Sequence, residues 1–326
     1  MDDVRWTPSF ARLSTHGAQE EVLLFNFKNL VMMQQMNLFG GQEPVKSGQA
    51  DLHVKVRRAV ALIRSMGLQN TPPIEVAYSG GKDSDVILEL TKMAGIRYRA
   101  IYKNTTIDPP GTIRHAEEMG AEVLRPERSF FELVAEMGFP NHQQRFCCKY
   151  LKEFKVLDRA IMGIRKSEST RRDKQYEEPT ECRYYGAKTP ENHVEAIYPI
   201  LDWTDRDVEQ FITERGIKVH PYYYDEKGHF HVERRLGCMC CPLAYYKKRI
   251  KYFERVPGMV KAYLRAGQRF RDTHPDVETI RMYGDVYEWF VRDVFFETQV
   301  QWEEYKRVNP DADYKRLLEE RFKIEL

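Results

Sequence analysis

The sequence changes character where an apolar, strand-like run meets a glycine pair and then a helical pattern. The run at residues 74–78 is followed by Ser-Gly-Gly-Lys-Asp-Ser, and apolar residues then recur at helical spacing until Gly95. Adjacent glycines let the backbone turn tightly and present N–H groups, while a helix N-terminus favours anions. The loop matches neither G-x-x-x-x-G-K-[ST] nor G-x-G-x-x-G. We therefore predict a phosphate-binding loop formed by Ser79, Gly80, Gly81, Lys82, Asp83 and Ser84.

Composition limits the class of protein. The 326 residues are 42% hydrophobic, enough for one large or two ordinary domains with a real core. The 51 Lys and Arg nearly balance the 49 Asp and Glu, so any basic surface must be local. The N-terminus lacks a signal-peptide pattern, and no apolar run approaches the roughly 20 residues of a membrane helix. We expect a globular cytoplasmic protein that does not enter a membrane.

Three regions are expected along the chain. Residues 1–50 form an N-terminal extension that ends near a linker-like segment at 40–44, and Met32, Met33 and Met36 are typical of a packing or subunit surface. A homo-oligomer formed through this methionine surface is therefore one alternative for the assembly of the protein. Residues 51–244 are expected to form a nucleotide-binding α/β domain, and residues 245–326 a helical region.

Strands and helices are predicted to alternate after a first helix at 51–68. The predicted strands are 74–78, 98–103, 122–125 and 160–164, and the predicted helices are 83–93, 112–119 and 130–137. This alternation predicts an α/β fold with a doubly wound, mostly parallel sheet that is Rossmann-like. Ligands of such sheets bind beyond the carboxyl ends of the strands.

Two further strand ends carry polar residues. Asn104 begins an Asn-Thr-Thr segment that could reach the ligand of the glycine loop, although an ordinary turn is an open alternative. The segment 163–171 is rich in cations that suit an oxyanion, and a solvated charged loop is its alternative. The cations of this segment and the next position are Arg165, Lys166, Arg171 and Arg172.

Six cysteines fall at positions 147, 148, 182, 238, 240 and 241. In a reducing compartment such clustering favours metal or redox chemistry over structural disulfides. Holding the four thiolates of Cys147, Cys148, Cys238 and Cys241 together requires a metal centre or disulfides. Zinc, a redox dithiol and an iron–sulfur cluster are all open; the adjacent pair counts against zinc, and a dithiol needs only two of them. Cys182 and Cys240 are either free catalytic thiols or incidental cysteines.

Motifs in three segments resemble the phosphoadenylyl-sulfate (PAPS) reductase family of the adenine nucleotide α-hydrolase superfamily, over roughly residues 54–250. They are the glycine loop, the Gly-Ile-Arg at 163–165 with Glu168, Ser169 and Arg171, and Tyr-Pro-Ile-Leu-Asp-Trp-Thr at 198–204. The resemblance implies that the loop holds phosphate or sulfate and that the arginine-containing strand end grips the anion. It also implies a closing helix at 207–215, capped by Thr204 or Asp205.

The cysteine spacing adds a second resemblance. Cys-Cys followed about 90 residues later by Cys-x-x-Cys is similar to the cluster motif of adenylyl-sulfate reductases. That similarity implies a [4Fe–4S] cluster bound by Cys147, Cys148, Cys238 and Cys241.

The chain departs from the reductase pattern in two ways. No cysteine follows Cys241, so the C-terminal nucleophile of assimilatory reductases is missing. The glycine loop also keeps the form seen in enzymes that cleave ATP to AMP and pyrophosphate, a form that the reductases usually alter. Both departures favour ATP over adenylyl sulfate or PAPS as the nucleotide.

The leading hypothesis is an ATP-dependent iron–sulfur enzyme of sulfur transfer, in which Lys82 contacts phosphate and Asp83 helps orient Mg²⁺. DNA or tRNA would be the sulfur acceptor, and a cysteine desulfurase or another thiol donor protein the source. One alternative is a sulfonucleotide reductase that uses Cys182, Cys240 or a partner's thiol. The other is a non-enzymatic, cluster-bearing nucleotide sensor.

The region after residue 245 is predicted to be helical, with aromatics that pack against the nucleotide domain. Lysines and arginines at 247–255 alternate with Tyr245, Tyr246 and Tyr252. We expect this segment either to be a solvated helix face or to form a local basic surface for a phosphate-rich substrate.

Overall fold

The computed structural model describes residues 51–67 and 72–326. The expectations for the N-terminal extension, including its methionine surface and linker, lie outside the described residues.

Six described strands form one sheet. They are β1 (Ile74–Tyr78), β2 (Tyr98–Lys103), β3 (Glu122–Leu124), β4 (Arg159–Ile161), β5 (Thr180–Tyr184) and β6 (His193–Ile197). The first helices are α1 (Leu52–Met66), α2 (Lys82–Ala94), α3 (Thr112–Glu118), α4 (Phe130–Met137), α5 (Phe146–Leu151), α6 (Thr170–Gln175) and α7 (Asp205–Arg215). The later helices are α8 (Tyr246–Arg255), α9 (Gly258–Thr273), α10 (Glu278–Arg281), α11 (Val286–Phe295), α12 (Gln299–Val308) and α13 (Tyr314–Phe322).

The sheet has the strand order β3-β2-β1-β4-β6-β5, and its pairs are parallel except β5 with β6. The chain moves outward from β1 to β3 and then returns to β4 on the other side of β1. In a doubly wound sheet the ligand crevice opens where the order reverses. The predicted α/β class is confirmed, and the reversal brings the 79–84 loop after β1 beside residues 163–165 after β4.

Two apolar cores support this edge of the sheet. The first joins β1, α1, α2 and α7, because alternate β1 residues and the apolar face of α2 are fully buried together. The second joins α4 and α5 to the C-terminal helices, for example through the contact of Phe130 with Tyr263. It also packs the C-terminal helices on one another, as Phe253 does on Phe290. The helical C-terminal region is confirmed, and much of its aromatic content packs against other elements, as expected.

Several elements differ from the sequence expectations. The strand expected at 160–164 ends at Ile161, because the next residues leave the sheet and approach α2. The final helical segment is divided into α11, α12 and α13, since Thr298 and Asp313 cap the last two helices. Strands β5 and β6 were not predicted; β5 is mostly exposed and polar, so it lacks an apolar alternation.

None of the described helices combines the length and the apolar character needed to cross a membrane.

Gly163, two residues after β4, lies against the first turn of α2. A Cβ at this position would lie 2.9 Å from the carbonyl oxygen of Asp83 and 3.1 Å from its carbonyl carbon. Backbone atoms in the first turn of a helix cannot move aside like a flexible side chain. Gly163→Ala is therefore expected to lower the free energy of unfolding by about 1–3 kcal/mol, measured by urea denaturation. The control is Gly258→Ala, where a Cβ meets nothing within 4 Å; equal midpoints for the two variants would contradict the close packing.

Candidate functional site

The 79–84 loop has a left-handed backbone at its turn, where glycine is favoured and a side chain would be crowded. Gly80 has a φ of +75°, in the left-handed region, and a Cβ there would lie 2.7 Å from the Thr112 Cγ2 methyl. Gly81 is the N-cap of α2 and has no side chain to cap it. The buried Ser84 hydroxyl donates to the Gly81 carbonyl at 2.7 Å, which closes the turn. The loop thus places the N-terminus of α2 at the crevice of the sheet, as the sequence predicts.

The two cations at the loop, Lys82 and Arg165, are already paired with a carboxylate. Lys82 is buried, with its ammonium 3.0 Å from Asp83 Oδ2 and 5.6 Å from the ring centroid of Tyr223. Arg165 donates through Nε to Asp83 Oδ1 at 2.7 Å, so one carboxylate serves two cations. The lysine is therefore buried and held in place before a ligand binds.

Arg165 connects three elements of the fold. Its side chain is 1% exposed, and Nη2 donates to Asp205 Oδ1 at 2.7 Å, in the first turn of α7. Nη1 donates to Ser167 Oγ at 2.9 Å and to the Trp203 carbonyl at 3.3 Å. The structure therefore makes Arg165 a clamp between the end of β4, α7 and the first turn of α2. The helix cap falls on Thr204, whose hydroxyl accepts from the Asp207 N–H.

The other residues of the arginine segment lie nearby with different roles. Glu168 is largely buried between Arg172 and Arg235. Nη2 of Arg235 donates to Glu168 Oε1 at 2.8 Å. Arg171 is exposed on α6. Glu168 thus secures Arg235 at this edge, while Arg171 remains open to solvent.

Asn104, at the end of β2, is buried and forms a turn. Its Oδ1 accepts the Thr106 N–H at 2.8 Å, and Thr106 has a φ of +63°. The turn alternative left open by the sequence accounts for these contacts.

Tyr223 covers the loop, and this role was not predicted from the sequence. Its hydroxyl accepts the N–H of Lys82 at 3.1 Å and the N–H of Leu236 at 3.4 Å. The Lys82 N–H belongs to the first turn of α2, where an anion would bind. A run of three tyrosines after Pro221 was the available signal, but it does not reveal which partner its hydroxyls meet.

A buried polar network lies beneath the loop. Asp85 is fully buried and accepts hydrogen bonds from Tyr78 and from His115 Nε2, the latter at 3.1 Å. Burial raises the pKa of Asp85 to about 6, against the opposing effect of these hydrogen bonds. The His115 ring contacts His220 edge-on, with centroids 5.7 Å apart. This network ties β1, α2 and α3 together under the glycine turn.

Five of the six cysteines lie at the second core: Cys147 and Cys240 are buried in it, Cys148 and Cys238 pack against it, and Cys241 lies near Cys148 and Cys238. Cys147 and Cys148 lie on α5, and their thiols are hydrogen-bonded to each other. Burial raises the pKa of Cys241, and the nearby charges of Cys238 and Cys148 raise it further. The structure therefore brings the adjacent pair and the Cys-x-x-Cys turn into one neighbourhood.

Positive groups border these thiols. The hydrogen bond from the Cys147 thiol lowers the pKa of Cys148 to about 6 against the effect of burial, and the Arg145 guanidinium, whose Nη2 lies 3.7 Å from Cys148 Sγ, adds to this effect. Although burial opposes the charge of Lys152, the neighbouring Cys238 thiol raises its pKa. Four thiols, apolar surroundings and compensating cations suit the donor set of a four-cysteine cluster. Within residues 51–67 and 72–326, no group of three or more His, Cys, Asp or Glu side chains is placed so that it could hold a metal ion.

The two candidate free thiols lie in different settings. Cys182 is exposed on the edge strand β5. Cys238 instead contacts the loop after β2, which lies on the other side of the sheet order, so Cys182 is separated from the cysteine turn. Cys240 is buried with a φ of +49°, and its carbonyl accepts the Tyr263 hydroxyl at 2.8 Å. Burial raises the pKa of Cys240 to about 12. Its thiol is therefore protonated near neutral pH, which makes Cys240 a poor nucleophile in this conformation.

A short segment joins the glycine loop to the cysteines. Leu236 packs over the loop, since a Cβ on Gly80 would lie 3.6 Å from Leu236 Cδ2. Two residues later, Cys238 Sγ lies 3.5 Å from Thr105 Oγ1 in the loop after β2, and the Met239 N–H donates to Ile107 at 2.7 Å. Two residues span at most about 7 Å. The glycine loop and the cysteine turn thus lie along the same edge of the sheet.

The chain is similar to a known protein family and to several individual proteins. The family model of the phosphoadenosine phosphosulfate reductase domain matches residues 73–244, more than half of the chain. An uncharacterised protein of Methanocaldococcus jannaschii is 30% identical over 57% of this chain and 39% of its own length. An uncharacterised 37.8 kDa protein of Escherichia phage 186 is 31% identical over 42% of each chain. A phosphoadenosine 5'-phosphosulfate reductase of Alkalilimnicola ehrlichii is 39% identical over 13% of this chain and 18% of its own. The chain spans less than half the length of these relatives.

Solved structures show distant similarity. The phosphoadenylyl-sulfate reductase of Candida auris, in a phosphate complex, is 14% identical with a TM-score of 0.39, over 60% of this chain and 98% of its own. The U34-tRNA thiolase NcsA of Methanococcus maripaludis, with its [4Fe-4S] cluster, is 14% identical with a TM-score of 0.36, over 69% and 82%. Similarities at this level carry no argument about function.

The buried clamp gives a prediction about stability. Arg165→Met removes a buried cation and leaves the Asp83 carboxylate with Lys82 alone, so the free energy of unfolding should fall by about 3–5 kcal/mol. The matched control is Arg99→Met, which breaks an exposed pair with Glu122 and should cost about 1 kcal/mol or less. Denaturation midpoints measure both. A loss for Arg165→Met no larger than that of the control would show that the clamp is not structural.

Proposed function

This chain belongs to the phosphoadenosine phosphosulfate reductase family, and from that premise we propose that it binds ATP, cleaves it to AMP and pyrophosphate, and transfers sulfur to a nucleic acid. The observation that carries the proposal is the shared edge of the sheet. Leu236 touches the glycine loop, and Cys238 follows two residues later beside the loop after β2. A nucleotide bound at the loop would therefore have the four clustered cysteines as neighbours.

The loop supplies the groups that a pyrophosphate needs. The N-terminus of α2 offers backbone N–H groups, and Lys82 offers an ammonium in the first turn. A bound phosphate oxygen would replace the Tyr223 hydroxyl at the Lys82 N–H and share the ammonium with Asp83. Mg²⁺ would accompany the nucleotide and neutralise its phosphates. Because Asp83 already pairs with Lys82 and Arg165, its contribution is to position the lysine, and contact with Mg²⁺ would use a remaining lone pair of the same carboxylate.

The reaction that we propose proceeds through an adenylate. An oxygen of the acceptor attacks the α-phosphorus of ATP, and pyrophosphate leaves on the 79–84 loop. The terminal sulfur of a donor persulfide then displaces AMP, and a second thiol of the donor cleaves the resulting disulfide. This leaves sulfur in place of that oxygen and a disulfide on the donor. The sulfur would come from a thiol donor protein such as a cysteine desulfurase, and DNA or tRNA would be the acceptor.

The four cysteines of the cluster motif would hold a [4Fe–4S] cluster. When bound, such a cluster supplies thiolate-ligated iron whose reduction potential is set by its charge and surroundings. The guanidinium of Arg145 and the ammonium of Lys152 offset negative charge at Cys148 and Cys238. The apolar second core shields the site from water on one side.

Reduction of adenylyl sulfate or PAPS is the competing proposal, and the match to the reductase domain favours it. It needs a nucleophilic thiol. Cys240 is buried and protonated, so the thiol would come from Cys182 or from a partner protein. Sulfite formation from adenylyl sulfate with a thiol reductant would support this alternative.

Lys82→Ala tests the ATP proposal. Removing the ammonium should lower pyrophosphate release in the presence of a nucleic-acid acceptor by about 10²–10³-fold, since it stabilises the leaving charge. The control is Lys92→Ala, at the exposed end of the same helix, which should keep the wild-type rate. Anaerobically purified protein that releases no pyrophosphate with any DNA, tRNA or small-molecule acceptor would contradict the proposal.

Cysteine variants test the cluster independently of activity. Cys148→Ser and Cys241→Ser should lose iron and visible absorption after anaerobic purification, because each removes one proposed ligand. Cys182→Ser, on the exposed edge strand, should keep both. A colourless wild-type protein that contains zinc instead of iron would overturn the cluster assignment.

A further inference from the structure

Helix α8 and Tyr245 form a surface beside the cysteine turn. Tyr245 is the N-cap of α8 and follows Cys241 by four positions. Arg249 fixes the helix to this region, because its Nη1 donates to the Pro242 carbonyl at 3.1 Å and to the Asp293 carbonyl at 2.5 Å. We call the exposed face the α8 surface, which consists of Tyr245, Tyr246, Lys247, Lys248, Lys251 and Arg255.

The charge of the α8 surface is uncompensated. Within the part of the chain that the structure describes, its four cations form no ion pair, whereas cations on other helices do, such as Arg215 with Glu89 and Lys306 with Glu288. The single carboxylate of α8, Glu254, is paired with Arg321 of α13 instead. Four unpaired cations on one helix face of a nearly neutral protein make a local site of positive potential.

Aromatic rings lie among these cations. Tyr245 is 54% exposed, and its ring centroid is 4.7 Å from that of Tyr246. The ammonium of Lys247 lies 5.8 Å from the Tyr246 centroid, and that of Lys248 lies 5.7 Å from the Tyr252 centroid. The exposed ring of Tyr245 and the unpaired lysines over the half-buried Tyr246 and Tyr252 are the two components of a surface for unpaired bases and their phosphates.

We propose that the α8 surface binds single-stranded nucleic acid. The lysines and Arg255 would contact phosphates, and Tyr245 would stack on a base at the end of α8 nearest Cys241. A single strand fits better than a duplex, because stacking on a side chain requires a base that is not already stacked between neighbours. This inference rests on the proposed function, in which a nucleic acid accepts the sulfur. It adds that the acceptor is a single-stranded stretch of DNA or RNA.

Binding of labelled oligonucleotides to the full chain tests this proposal. Fluorescence anisotropy would be measured with a single-stranded RNA, a single-stranded DNA of the same sequence and the DNA duplex, over a series of salt concentrations. We expect at least one single strand to bind more tightly than the duplex. The better of the two identifies the acceptor type, and equal affinity would mean recognition through the shared backbone and bases.

Two variants separate charge from stacking. Replacing Lys247, Lys248 and Lys251 together by alanine should weaken single-strand binding at least tenfold and reduce the salt slope by about 2, from about 0.7 for each phosphate contact. Tyr245→Ala should weaken binding about tenfold without changing the slope, as expected for one lost stacking contact.

The matched control removes the same charge elsewhere. Arg307, Lys315 and Arg316 on α12 and α13 are each paired with a carboxylate, and replacing them by alanine should change binding less than twofold. Duplex binding as tight as single-strand binding, or an equal loss in the control, would overturn the proposal. Circular dichroism verifies that each variant is folded.

The outcome is distinguishable from failure of the proposed function. Pyrophosphate release with a small-molecule acceptor but no single-strand binding would overturn the α8 inference and leave ATP cleavage standing. Single-strand binding that depends on α8, without pyrophosphate release, would support the surface and contradict the proposed reaction.

Discussion

The shared carboxylate of Asp83 is the interaction on which the candidate site depends. It pairs with Lys82 in the first turn of α2 and with Arg165 after β4, both largely removed from water. A buried cation without a partner is costly, so the two cations and the carboxylate must fold as a unit. Through Asp205, Arg165 extends this unit to α7. The geometry of the loop is therefore set by charges as well as by its glycines, and the N-terminus of α2 is held at the reversal of the sheet before any ligand arrives.

The segment around Leu236 gives the site its second half. The Tyr223 hydroxyl accepts hydrogen bonds from the N–H groups of Lys82 and Leu236. From Leu236 the chain continues to Cys238, which contacts the loop after β2. The cysteine turn is thereby positioned relative to the glycine loop by hydrogen bonds and packing along one edge. This connection explains how two motifs more than 150 residues apart in the sequence come to lie along one edge of the sheet. It also makes Tyr223 a residue that a bound nucleotide would have to displace from the Lys82 N–H.

Much of the fold followed from local patterns. The bounds of β1, β2 and α4 were predicted as they occur, because apolar periodicity and flanking turns mark elements that face the core. Partners that are distant in sequence could not be predicted. The pairing of Arg165 with Asp83 and Asp205 depends on sheet order, and the burial of Cys240 depends on how Tyr263 packs over its turn. Strand β5 has no apolar alternation, since it lies exposed at the edge of the sheet.

We propose that the unaltered glycine loop selects ATP and presents it to the clustered cysteines. Titration calorimetry of anaerobically prepared protein with ATP and Mg²⁺, compared with adenylyl sulfate, measures this selection. We expect ATP to bind with one site per chain, Lys82→Ala to lose most of this affinity, and adenylyl sulfate to bind more weakly. Tight binding of adenylyl sulfate with no measurable binding of ATP would contradict it.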